Sequence, residues 1–162
     1  MRNIGFHGGH TIYELGPLPD IVLFFECLQK YVQETHPERD WSLLTDRLYR
    51  RYLRLNELSD AFVLMELAKS IFATRPASAV DWITHDPIKT WLDPNQPTLA
   101  DVFSRYFEHF INAKNSAESF LEAFNIYQPV KTVIADLPGF TVDKRRPLTE
   151  YDTLEGKPFW LQ

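Results

Sequence analysis

The sequence predicts a mainly α-helical chain of α+β type, with about four to six helices bundled against a small antiparallel sheet. Apolar residues recur every three or four positions over several long stretches, which is the spacing of a helix with one buried face. The first sixteen residues instead alternate loosely around a double glycine, and a single β-branched segment lies near 130–135. A chain of 162 residues suits one domain, because two would each have too little interior to bury. The expected organisation is therefore 1–162 as one unit, with residues 140–162 an irregular tail docked on it.

Ile4 and Phe6 precede His7-Gly8-Gly9-His10, and Ile12, Tyr13 and Leu15 follow, so the glycines mark the tight turn of a β-hairpin. Pro19 and Asp20 make a helix start, and Ile21, Phe24, Phe25, Leu28, Tyr31 and Val32 continue at helical spacing until Pro37. From Trp41 to Leu55, Leu44, Leu48, Tyr52 and Leu55 form one stripe, and Arg47, Arg50, Arg51 and Arg54 form another. Both are read as faces of one amphipathic helix. A third helix runs from about Ser59 to Thr74 and stops at Arg75-Pro76, where the proline ring opposes continuation.

Pro76, Pro87, Pro94 and Pro97 confine residues 77–97 to short helical turns, packed by Trp82 and Trp91. Thr98 is an N-cap with Asp101 three residues on, and Val102, Phe103, Tyr106, Phe107, Phe110 and Ile111 open a long helix. That helix runs to Phe124 or breaks near 112–116, where small and polar residues compete for backbone hydrogen bonds. Val130 to Ala135 reads as a strand able to join the hairpin.

Twelve Phe, seven Tyr and four Trp supply a large core and exclude general disorder. The net charge of −5 repels nucleic-acid phosphates and anionic membranes and favours a basic partner. Unbroken apolar runs such as Ile21 to Phe25 fall far short of the roughly 20 residues that cross a bilayer. The lone Cys27 makes no internal disulfide, and the first residues lack the basic and apolar regions of an export signal. The cytosol is thus the expected compartment.

No glycine spacing suited to cradling phosphate and no nucleophile elbow occurs, which disfavours the common nucleotide-dependent and serine-hydrolase chemistries. His7 and His10, with Glu14, could gather a metal, but a hairpin tip is a poor cage and an ordinary turn is the preferred reading. Cys27 reads as a core thiol. His85 with Asp81 or Asp86 could form a carboxylate-oriented imidazole of a small hydrolase, against the plainer reading of a bridge that pins a Trp-rich turn. The stripe from Arg47 to Arg54, with Tyr49, could grip phosphates in a nucleic-acid or regulatory adaptor, against a solvated face paired with Asp46 and Glu57. Glu118 and Glu122, a like-charge pair four residues apart, with Asp101 and Glu108 are a candidate surface for a cationic partner, against the plainer and preferred reading of a polar face kept soluble by charge and partly neutralised by Arg105. No cofactor or metal is expected.

The short acidic chain, its helical body from Asp40 to Ile71, the closing Leu148-Thr149-Glu150-Tyr151-Asp152 and the run Gly156-Lys157-Pro158-Phe159-Trp160-Leu161 carry a resemblance. They resemble the bacterial immunity proteins of contact-dependent growth inhibition and related polymorphic toxin systems. The resemblance implies a non-enzymatic cytoplasmic inhibitor that binds a cognate toxin, many such toxins being nucleases, and covers its active or substrate-binding surface. It assigns no residue roles, so the interface residues Asp101, Glu108, Glu118 and Glu122 rest on charge alone. No small-molecule substrate, membrane or nucleic acid enters that expectation.

Overall fold

Gly9, at φ 62°, makes the turn between β1 (Asn3–Gly8) and β2 (Thr11–Pro17), a conformation open to glycine at little steric cost. The computed structural model describes residues 3–135, so the expected C-terminal tail lies outside the described residues. β1 pairs antiparallel with β2 and, on its other edge, with β3 (Lys131–Ile134), giving the order β2-β1-β3. A register shift opposite Ile4 and Gly5 leaves Leu15 of β2 as an extra, fully buried residue.

Helix α1 (Leu18–Thr35) follows directly on β2, with Pro17 as its N-cap, and buries Ile21, Phe24, Phe25, Leu28, Tyr31 and Val32, the stripe read from the sequence. Helix α2 (Leu58–Phe72) follows, then the short α3 (Leu99–Val102) and the long α4 (Ser104–Phe124), which packs on both strands of the hairpin. Phe24 sits at the centre of an aromatic core, with the rings of Phe25, Phe72, Phe103, Tyr106 and Phe107 between 4.6 and 5.8 Å from it. Such tilted and edge-on pairs add ring electrostatics to the area buried. The mainly helical α+β architecture, with its hairpin and late strand, is the one the sequence predicts.

Two local expectations are corrected. The segment from Trp41 to Leu55 is not one amphipathic helix. Residues Leu43–Leu48 wind as a π-helix, and beyond position 50 the chain leaves the helix to reach the sheet. There the Leu53 amide donates to Val130 O at 2.7 Å, and Tyr127 Oη donates to Leu53 O at 2.8 Å. These long-range bonds outweigh local periodicity, so Leu53 is buried while Leu55 is exposed. The helix opened by Thr98 is also interrupted at Phe103, and of the two endings left open it takes the run to Phe124, with no break near 112–116. Thr98 and Asp101 close a reciprocal cap around α3, whereas Ala113 and Ala117 lie buried within an unbroken α4.

Small residues at 112–117 let α4 approach the hairpin closely. A Cβ placed on Gly8 would lie 1.9 Å from Ala113 O, and one on Gly9 would lie 2.6 Å from Ser116 O. The helix ends on Asn125, which is left-handed at φ 53° and donates its amide to Leu121 O at 2.7 Å.

Candidate functional site

Asp20 begins as a helix-start residue and becomes the anchor of a distant segment. It sits in the first turn of α1, near the positive end of the helix, and is completely buried. Thr90 Oγ1 donates to its Oδ1 at 2.7 Å, and the Trp91 amide donates to its Oδ2 at 2.8 Å. His85 Nε2 lies 3.2 Å from Oδ1, close enough for an ion pair although its N–H is not aimed along a hydrogen bond. Three positions of one segment thus converge on one carboxylate.

The hydrolase reading named Asp81 or Asp86 as the partner of His85, and the structure corrects this to Asp20. Asp81 and Asp86 are held in their own turns, where Asp81 Oδ1 accepts from the Ile83 amide at 3.1 Å and Asp86 Oδ1 from the Ile88 amide at 2.9 Å. Such two-residue turns satisfy backbone donors locally and leave the imidazole to a carboxylate from another element. A cavity of about 250 Å³ opens beside the pair, lined by Pro17, Pro19, Asp20, His85, Lys89 and Thr90 among others.

The segment from 77 to 97 contains the expected short helical turns, at Ala77–Ala79 and Trp82–Thr84. Trp82 Nε1 donates to Ala77 O at 2.7 Å, and its ring meets that of His85 edge-on at 5.7 Å. Trp91 rests against Gly16, where an added Cβ would lie 3.3 Å from the indole, and the Arg105 guanidinium stands 5.2 Å from the indole ring. With its base fixed in this way, the segment lifts Ile83 and Ile88 into solvent, 94% and 91% exposed.

The four acids proposed from the sequence lie on α3 and α4. Asp101 is exposed but committed to the cap, its Oδ2 accepting from Thr98 Oγ1 at 2.8 Å. Glu118 pairs with Lys114 at 2.8 Å, which relieves the like-charge pairing with Glu122. Glu108 and Glu122 are exposed. They stand two heptads apart on one face of α4, about 21 Å along its axis. Asp101 also lines a cavity of about 170 Å³ together with Trp91, Asp93, Arg105 and the buried Tyr106. Burial, then the Asp20 carboxylate, hold the Tyr106 phenol well above its usual pKa.

The arginines do not form the solvated helical stripe that an adaptor would use. Arg47 and Arg54 approach Glu57 at 3.6 and 3.9 Å, Arg51 approaches Asp46 at 3.5 Å, and the Arg47 and Arg54 guanidinium groups lie over the Tyr52 ring at 5.0 and 5.4 Å. Arg47, Arg51 and Arg54 thus face neighbouring acid and aromatic groups, including the Asp46 and Glu57 partners of the plainer reading.

His7 is buried in β1, while His10 is exposed in the turn with its ring 5.1 Å from Phe120. Among the described residues no three His, Cys, Asp or Glu side chains are grouped to hold a metal, and no helix is long and apolar enough to cross a membrane. Cys27 is buried on α1, where desolvation, then Glu26, push its thiol up to about 12. Sequence reasoning passed over Asp20, since its partners lie about 70 positions away and leave no local signature. No protein-family model, curated protein or solved structure significantly matches this chain.

Proposed function

We propose that the protein is a non-enzymatic immunity protein of the cytosol that binds a basic toxin domain and occludes its active or substrate-binding surface. The observation that carries this reading is the segregation of charge. From position 81 to 122 there are seven Asp or Glu against three Lys or Arg, so these 42 residues hold a net −4 of the chain's total −5. Arg47, Arg51 and Arg54 are meanwhile turned toward Asp46 and Glu57. An acidic region of this kind speeds encounter with a cationic cleft such as that of a nuclease, and buried contacts then set how slowly the complex separates.

The test is co-expression with the toxin domain encoded by the neighbouring reading frame. Survival of cells that otherwise arrest, together with a stable 1:1 complex, is the expected result. Continued arrest and no complex would remove the reading.

A second reading draws on the pairing of Asp20 and His85 beside a cavity. In a hydrolase, the carboxylate would orient the imidazole as a general base toward water. Replacement of His85 by Ala should then abolish turnover of any substrate found while leaving the fold intact. Undiminished turnover would dismiss that chemistry.

A further inference from the structure

We infer that the toxin-docking surface centres on residues 83–93, with Ile83 and Ile88 as apolar anchors inside an acidic rim, and that its occupant is a protein face carrying an apolar slot bordered by Lys or Arg. This rests on the immunity reading and moves the centre of the interface away from α4.

The two isoleucines are almost wholly in water, so they contribute little to the protein's own core. Asp81, Asp86 and Asp93 are all exposed on the same segment, whose one Lys or Arg is Lys89, 4.0 Å from Asp86. The rim is therefore complementary to basic surface. Trp91 adds a half-exposed indole at the edge, and Asp101 joins it and Asp93 around one cavity.

Order is what separates this segment from an incidental exposed loop. Asp20 holds Thr90 and Trp91, Trp82 is bonded back to Ala77, and the Asp81 and Asp86 turns fix the backbone at Ile83 and Ile88. A partner thus meets side chains whose backbone is already immobilised, which lowers the entropic cost of association. Interfaces concentrate their energy in a few desolvated apolar or aromatic residues with polar surroundings, and this segment supplies that arrangement.

The experiment measures binding of the purified toxin domain from the neighbouring reading frame to wild type and to an Ile83→Asp/Ile88→Asp double variant. Two anchors lost together should weaken binding by about 100-fold or more and abolish protection in co-expression. Val63→Asp, an exposed apolar position on α2, should bind like wild type. If the aspartates lower the melting temperature, an Ile83→Ser/Ile88→Ser pair, which adds no charge, gives the same reading. Should wild type bind and protect while a folded double variant binds within about threefold of it, the surface lies elsewhere and neutralisation stands. Should wild type itself neither bind nor protect, the immunity reading and this surface fall together.

Discussion

The Asp20 carboxylate accepts the Thr90 hydroxyl at 2.7 Å, joining the first turn of α1 to a segment seventy residues further along the chain. The Trp91 amide completes the anchor from the other oxygen. Removing the carboxylate takes the acceptor from both part-buried donors. Asp20→Ala is expected to cost about 3 kcal/mol, in line with the loss of hydrogen bonds to a buried charged group. Urea denaturation measures the loss, and limited proteolysis should newly cut between 84 and 95. An unchanged midpoint with no new cut would mean the anchor holds nothing.

Close approach of α4 to the hairpin gives a second expectation. Because a Cβ on Gly8 would collide with the Ala113 backbone carbonyl at 1.9 Å, Gly8→Ala must push α4 away from the sheet. The expected loss is about 3 kcal/mol or more, since backbone and not a pliable side chain stands in the way. Thermal unfolding checks it, and a variant as stable as wild type would contradict the packing described.

His109 lies against the Tyr13 ring at 5.5 Å, and burial, then Arg105, lower its pKa below the ordinary 6.5. As pH falls through that value the unfolded chain takes up the proton first, so the folded state loses stability on acidification. Between pH 7.5 and 5.5, wild type should therefore lose more stability than His109→Gln, which has nothing to protonate there. Parallel denaturation curves for the two proteins across this range would refute the assignment.

With its thiol raised to about 12 and its side chain buried, Cys27 should react with Ellman's reagent at neutral pH only on unfolding. Native protein should label at least about 100-fold more slowly than protein in guanidinium, because both exposure and thiolate fraction are small. Rapid labelling of the folded state would place Cys27 at the surface.

Legibility from sequence followed the range of the forces at work. The α1 stripe from Ile21 to Val32 and the Thr98 cap were readable because residues within one or two turns decide them. Tyr52 and Leu55 misled because Leu53, between them, is claimed by Val130 and Tyr127 from the far end of the described chain. Asn112 to Ser116 resembled a helix break for a sound local reason, yet small side chains were needed there to seat the helix on Gly8 and Gly9. At the candidate site, His85 was visible as a residue of interest while its partner was not. A carboxylate in the first turn of a helix reads as a helix-start signal, and only the fold reveals that it faces inward.

The sheet order has a consequence for how the protein is made. β1 precedes both of its partners in the chain yet lies between them, and its second edge stays open until Lys131–Ile134 has been synthesised. Gly5 waits for Val133 across most of the described chain. A product terminated anywhere before β3 would leave the β1 edge, central in the finished sheet, unpaired and able to take a strand of another copy.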